Sequence, residues 1–267
     1  MKSFDIFAKQ AIAVLFLMLF IGATAQDYRT IRVNGTIVLE RENIPLETGT
    51  VFEEEDNLIF KTQNSIATVI NPQKGRFILR PDNTDLAYAR ASYTPAMSNI
   101  SSRSGAFMTA LDLKNHLDGR YVFFDENYLT INPEIFPMNE EKFFFLRYQY
   151  NGDTINKKLA FNHDTLLIRP HEVFSIDNTP VDYTSVNEVE LWYMERDEGN
   201  KITLLNKFEP VVINNDELMQ ELQIIFDIYS DKPEKQVRQE AFSYIHEFYG
   251  TLNKENFEYW MTRYMEN

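Results

Sequence analysis

The sequence predicts a mainly β protein with a C-terminal helical segment. Two stretches, 26–90 and 119–213, contain short runs in which apolar and polar residues alternate with a period of two, the pattern of half-buried strands. From residue 214 onward the apolar residues recur with a period of 3.6, as in amphipathic helices. The expected architecture is therefore a small β-domain, an antiparallel β-sandwich and two to three α-helices.

Residues 1–25 have the pattern of a secretory signal peptide. Residues 11–23 form an apolar run of 13, and Ala23-Thr24-Ala25 fits an A-x-A cleavage site. As a helix this run would span about 20 Å, short of the roughly 30 Å hydrocarbon core of a bilayer. We expect cleavage before Gln26 and an exported mature protein, periplasmic or extracellular, without a membrane span; an uncleaved anchor is the alternative.

The composition excludes several classes of site. The chain has no cysteine, which rules out disulfides, thiolate zinc sites and thiol nucleophiles. It carries 40 acidic against 26 basic residues, a formal net charge of −14. Because phosphate backbones are bound by clustered lysine and arginine, we expect no nucleic-acid partner.

Residues 26–90 are predicted to form the small β-domain. Asn34-Gly35 between Thr30–Val33 and Thr36–Leu39 indicates a hairpin, since this dipeptide suits the turn of two antiparallel strands. A second hairpin is expected around Asn71–Gly75. Six short strands in this stretch favour a small barrel or a compact sandwich.

The same region resembles a known family. The segments VNGTIVLE and IPLETGTVFEEEDNLIFKTQNSIATVINPQKGRFIL are similar to the β-domain of FecR-type periplasmic proteins. The positions that carry the resemblance are Gly49, Asp56, Ser65, Ala67, Gly75 and Leu79. The resemblance covers about fifty residues, roughly 30–80. It implies the fold and the periplasmic compartment, and no signalling role.

Residues 91–118 are predicted to be a linker with a possible short helix. The segment ASYTPAMSNISSRSG is rich in serine and poor in large apolar residues. The helix would cover residues 106–116, with Phe107, Leu111 and Leu113 facing inward.

Residues 119–213 are predicted to form the β-sandwich, with eight or so antiparallel strands. The strand 142–150, KFFFLRYQY, places large rings on both of its faces. We expect a central strand covered by the second sheet on one face and by the helical tail on the other. The alternative is an exposed aromatic platform, with Tyr148 and Tyr150 available to a glycan or a protein partner.

Residues 214–267 are predicted to form the helical tail. Asn215 is the expected N-cap of the first helix, because an asparagine side chain can accept hydrogen bonds from the first free amides. Asn253 is the expected cap of the last helix, whose apolar face includes Trp260 and continues to Tyr264. This face packs on its own sandwich or docks a partner, and the sequence leaves both open.

The sequence offers no catalytic, cofactor-binding or metal-ligating residue that we single out. His163-Asp164 with His171 is the only local histidine cluster, and its spacing matches no standard metal site. Nucleophile-elbow, zinc-protease and phosphate-loop motifs do not occur.

These observations favour a non-enzymatic binding or scaffold protein of the cell envelope that acts through protein–protein interaction. A carbohydrate or cell-wall binding protein is the alternative. A hydrolase is a third reading, which would need a cleft that gathers His163, His171 and carboxylates. The candidate binding surface consists of Tyr148, Tyr150, Trp260 and Tyr264.

Overall fold

The computed structural model describes residues 27–62, 64–82, 91–97, 107 and 109–265. The predicted signal peptide and, within the predicted linker 91–118, residues 98–106 and 108 lie outside these residues. The predicted fold class is confirmed, with 42% strand, 25% helix, several antiparallel sheets and a C-terminal helical segment. The chain divides into two compact units, which meet in sequence between Thr94 and Pro95.

The first unit contains two sheets, of order β4-β1-β6-β7-β8 and β3-β2-β5. Its strands are β1 Tyr28–Asn34, β2 Ile37–Leu39, β3 Ile44–Pro45, β4 Val51–Phe52, β5 Leu58–Phe60, β6 Ile66–Asn71, β7 Gly75–Pro81 and β8 Ala91–Pro95. Alternate residues of both sheets, such as Tyr28 and Val69 from one and Leu39 and Phe60 from the other, form one buried core.

The hairpin predicted at Asn34-Gly35 is wrong. Strand β1 pairs with β4 and β6, whereas β2 pairs with β3 and β5, so the chain passes from one sheet to the other at this dipeptide. Gly35 has φ +81°, and a Cβ there would lie 2.6 Å from the side-chain oxygens of Thr62 and Ser65. A residue without a Cβ is therefore needed at this point, where the chain crosses from one sheet to the other. The hairpin at Asn71–Gly75 is present, and the Asn71 side chain accepts from the amides of Gln73 and Lys74, each at 2.9 Å.

The second unit contains a five-stranded sheet of order β12-β11-β17-β18-β9, a three-stranded sheet of order β10-β14-β13 and the pair β15-β16. The strands are β9 Arg120–Phe123, β10 Asn127–Thr130, β11 Lys142–Tyr150, β12 Asp153–Lys158, β13 Ala160–Asn162, β14 Thr165–Ile168, β15 Ser175–Ile176, β16 Thr179–Pro180, β17 Val189–Glu195 and β18 Lys201–Val212. Side chains of the two larger sheets, including Phe144, Leu191 and Leu166, share one core.

Two details of this unit differ from the prediction. The strands are not all antiparallel, because β9 pairs with β18 in parallel. In addition, Pro170–Val173, inside the stretch predicted to form the β-sandwich, is a short helix with proline at its first position, where its missing amide costs nothing.

Five helices occur in the described residues: α1 Ala110–His116, α2 Pro170–Val173, α3 Asn215–Ile228, α4 Glu234–Phe248 and α5 Lys254–Met265. Helix α1 matches the predicted short helix and buries Leu113, but Leu111 is exposed, so the inward position predicted for it is wrong. None of the helices that the structure describes is both long enough and apolar enough to cross a membrane.

The cap of α3 lies one residue before the predicted position. Asn214 caps the helix, since its side chain accepts from the amides of Asp216 and Glu217 at 3.1 and 3.3 Å. Asn215 is instead the first residue of the helix. The cap predicted at Asn253 is present, and its side-chain oxygen accepts from the Asn256 amide at 3.0 Å.

The connection between α4 and α5 continues the five-stranded sheet at its β9 edge. Thr251 exchanges backbone hydrogen bonds with the strand, to the Arg120 carbonyl and from the Val122 amide, each at 2.8 Å. Gly250, with φ +133°, makes this approach possible because a Cβ there would lie 2.4 Å from the Arg120 carbonyl oxygen. The helical segment therefore pairs with an edge that would otherwise present free backbone groups.

Candidate functional site: the outer face of the five-stranded sheet

Two of the four residues proposed as a binding surface lie in the interior. Tyr148 is 1% exposed, and its hydroxyl donates to the Val173 carbonyl at 2.9 Å. Trp260 is 2% exposed and stacks on Phe124, with ring centroids 5.2 Å apart. A surface role for these two side chains is therefore wrong, because the ring and the polar group of each already have partners inside the protein. Tyr150 is partly buried against the same core as Tyr148.

Tyr264 belongs to a network that fastens the helices to the sheets. Its hydroxyl donates to the Asp125 carboxylate at 3.0 Å, and the Asn215 amide donates to both oxygens of that carboxylate. The Trp260 indole completes the network by donating to the Asn215 side chain at 2.9 Å. Burial, followed by the hydrogen bond to Asp125, raises the pKa of Tyr264. We interpret this network as structural support for helix packing.

His163 and His171, which a hydrolase would have to bring together, lie at opposite ends of β14. His163 lies in the exposed turn before β14, and His171 lies in α2 beyond the other end of that strand, with its side chain 71% exposed. Seven residues lie between them, and the four that form β14 alone span about 13 Å. Among the described residues, no group of three or more histidines and carboxylates is placed to hold a metal ion.

Strand β11 divides its aromatic rings between two different environments. Phe144, Leu146 and Tyr148 belong to the sandwich core. Phe143 and Phe145 point the opposite way, because side chains alternate across a strand. We call the surface on their side of the sheet the outer face.

The register of the sheet defines the apolar half of the outer face. Phe145 lies opposite Trp192, which lies opposite Leu204 on the next strand. The adjacent row contains Phe143, Met194 and Ile202. Directly opposed residues of antiparallel strands share a face, so these six side chains form one continuous patch.

Cationic side chains cover the aromatic rings of the apolar half. The Arg147 guanidinium lies 4.7 Å from the centroid of the Trp192 ring and 5.5 Å from that of Phe145. The Lys158 ammonium and the Arg196 guanidinium lie 4.5 and 4.9 Å from the Phe143 centroid. Phe143 and Phe145 are each 5% exposed as a result. The prediction that the helical tail covers this face of β11 is wrong for these two rings, since long cationic side chains lie over them.

The cover does not extend to the β18 side of the apolar half. Ile202 is 42% exposed and Leu204 is 40% exposed. Both belong to the same patch as the half-buried Trp192 and Met194. The outer face therefore combines covered rings on one side with open aliphatic side chains on the other.

The polar half of the outer face continues the same strands. Its central row is Asn156, Arg147, Glu190 and Lys207 in cross-strand order. Arg147 Nε donates to Asn156 at 2.8 Å, and Glu190 accepts from Lys207 at 2.7 Å and from the Trp192 indole at 2.8 Å. The hydrogen bond from Lys207, supported by that from Trp192, lowers the pKa of Glu190 and keeps it charged.

A surface cleft of about 290 Å³ opens beside the polar half. Its lining includes Arg147, Gln149, Asn187 and Glu190, and it therefore offers both hydrogen-bond donors and acceptors. The cleft and the apolar half adjoin at Arg147, whose guanidinium lies over Trp192.

Sequence reasoning missed Arg147, Trp192, Ile202 and Leu204. The sequence contains a pattern that could have identified the apolar ones. In the segments 188–194 and 201–205, residues that alternate with the core residues, such as Trp192 and Met194, are also apolar. Assigning faces to β17 and β18 would have revealed it. Whether a residue of the outer face is exposed, like Leu204, or buried, like Phe145, depends on its neighbours on the adjacent strands. The sequence does not specify these neighbours.

Comparison with known proteins gives no relative. No family model matches the sequence, and neither a search of curated proteins nor one of solved structures finds a significant match. The function must therefore be argued from the site.

Proposed function

We propose that this chain is an exported, non-enzymatic protein of the cell envelope that acts by binding another protein through the outer face. The export part of the proposal is based on the signal-peptide pattern of residues 1–25. The binding part is based on the geometry of the five-stranded sheet.

The proposal is based mainly on two exposed aliphatic side chains, Ile202 and Leu204. Each lies directly opposite a half-buried side chain on the neighbouring strand. Ile202 and Leu204 stay about two-fifths exposed while adjoining Met194 and Trp192 on the same face. A continuous apolar patch at the surface has a cost in water that a docked partner would remove. Tryptophan and arginine, which meet here, are also the residue types enriched at energetically important interface positions.

A protein partner fits the apolar half better than a glycan does. Sugars stack on open aromatic faces, but the rings of Phe143, Phe145 and Trp192 have cations over them. A sugar would have to displace those cations before it could stack. A protein can instead bury Ile202 and Leu204 with the cations left in place.

The proposal is tested by capture from envelope extract with three forms of the mature protein. Leu204→Glu places a charge in the open patch, and Lys235→Glu makes a charge change on the exposed surface of α4 as the control. We expect the wild type and Lys235→Glu to retain the same protein and Leu204→Glu to lose it, with circular dichroism unchanged. Equal retention by all three forms would contradict the proposal.

Carbohydrate binding is the second candidate function, and the cleft favours it. Gln149, Asn187 and Glu190 are side chains that commonly hydrogen-bond to sugar hydroxyls, and they line one cavity. Affinity electrophoresis with cell-wall polysaccharides tests this reading. Retardation that Asn187→Ala removes and Leu204→Glu leaves intact would favour the glycan over the protein partner.

A further inference from the structure

We infer, building on the proposed function, that the partner presents an acidic polypeptide segment, in which two carboxylates lie beside apolar side chains. Arg147 and Arg196 would bind the carboxylates, and Ile202 and Leu204 would contact the apolar side chains.

The two arginines of the outer face lie over aromatic rings. Arg147 donates a hydrogen bond from Nε to Asn156 and lies over Trp192 and Phe145. Arg196 lies over Phe143. Within the part of the chain that the structure describes, neither guanidinium has a carboxylate at ion-pair distance. After the hydrogen bond from Lys207, the charge of Arg147 also helps to lower the pKa of Glu190 across the sheet. Because no carboxylate is close enough to pair with them in the described residues, both guanidiniums can still bind a ligand's carboxylate.

The lysines of the same face differ in this respect. Lys158 pairs with Glu140 at 3.0 Å, and Lys207 pairs with Glu188 at 3.0 Å and Glu190 at 2.7 Å. These pairs neutralise the lysines, in a chain whose formal net charge is −14. Two unpaired guanidiniums on one apolar patch of such a protein are complementary to an acidic partner.

The spacing of the guanidiniums suits an extended segment. Arg147 extends over Phe145 and Arg196 over Phe143, two residues apart on β11. Two residues of a strand span about 7 Å, the distance between side chains i and i+2 on one face of an extended peptide. Arginine also forms planar, paired hydrogen bonds with carboxylates. A segment with acidic residues at i and i+2 and leucines beside them therefore matches the surface.

The test uses three synthetic peptides of sequence Leu-X-Val-X-Leu, with X as Asp, Asn or Lys, titrated into 15N-labelled mature protein. We expect the Asp peptide to shift the Trp192 indole and Leu204 amide signals and the Lys peptide to leave them unchanged. We expect Arg147→Gln combined with Arg196→Gln to weaken binding about fivefold, as for two partly exposed ion pairs. Lys235→Gln is the matched charge control and should leave the affinity unchanged.

Equal binding of the three peptides, or no shift of Trp192 with the Asp peptide, would overturn the inference. So would the acidic polysaccharide alginate if it shifted the same signals more strongly than the Asp peptide. If the arginine variants have no effect while Leu204→Glu still abolishes capture of the envelope partner, only the acidic character of the partner is refuted. If Leu204→Glu also has no effect, the proposed function is refuted as well.

Discussion

The two faces of strand β11 bury aromatic rings by different means. On the inner face, Phe144 is 0% exposed and is surrounded by the rings of Phe136 and Tyr193, 5.5 and 5.0 Å away. On the outer face, Phe145 is 5% exposed, beside Trp192 and under Arg147. Burial alone thus does not distinguish a core from a binding surface. We expect the core and the binding surface to differ in whether the side chains that cover the rings can move. A long cationic side chain can leave the ring because its charged group stays hydrated in either position.

The largest expected effect separates the faces directly. Phe144→Ala should lower the free energy of unfolding by about 3–5 kcal/mol, because it leaves a closed cavity in the core. Phe145→Ala should lower it by about 2 kcal/mol, because Arg147 and water can fill the space. Urea unfolding of the two variants measures the difference. Equal losses would mean that the outer ring is as enclosed as the inner one.

Helix α1 places a titratable group against the same core. His116 is buried against Phe107, with Nε2 2.9 Å from the Tyr121 hydroxyl, and burial lowers the pKa of His116 to about 4. In the unfolded chain the histidine has a pKa near 6.5, so on acidification it takes up a proton at a higher pH than in the folded protein. The contribution of neutral His116 to the free energy of unfolding should therefore be fully present above pH 6.5. It should fall by about 3 kcal/mol as the pH drops to 4.

Carboxylates titrate near the lower end of the same range, so the pH effect is read as a difference between two proteins. The control is His116→Gln, which has no imidazole to charge. Urea unfolding of both at pH 7 and pH 4.5 should show the steeper loss in the wild type. Parallel losses would indicate that His116 is protonated freely in the folded state.

A smaller effect extends the comparison to the β9 edge of the sheet. Gly250→Ala should cost more than about 1 kcal/mol, since φ +133° and the Arg120 carbonyl both oppose a Cβ. Gly199→Ala is the matched control, because Gly199 has φ +78° and nothing within 4 Å of a new Cβ. Thermal unfolding of both variants isolates the cost of the close approach. An equal cost would mean that strain alone, and not the contact with β9, accounts for it.

The periodicity of the sequence was sufficient for the fold class and insufficient for the pairing. Alternation identifies strands, but it does not say which strands are neighbours, so Asn34-Gly35 resembled a hairpin although the glycine serves a crossing between sheets. Likewise, Asn214 and Asn215 are equally good caps by residue type. Which one caps α3 is decided by the tertiary contacts of Asn215 with Asp125 and Trp260.

The candidate site was harder to predict than the fold, for a related reason. A tyrosine on a strand can present its ring to solvent or to a core, and the alternative in which Tyr148 is exposed is wrong. The aliphatic residues that are exposed, Ile202 and Leu204, have the sequence character of core residues. Their exposure follows from their position on the outer face, which only the register reveals.

We expect the cationic side chains over the outer face to be movable and the core to stay closed to water. Acrylamide quenching of Trp192, in a Trp260→Phe background that leaves one tryptophan, tests it most directly. We predict that Arg147→Ala raises the quenching of Trp192 clearly while lowering the free energy of unfolding by less than about 1 kcal/mol. Unchanged quenching, or a loss of stability as large as that of Phe144→Ala, would contradict the claim.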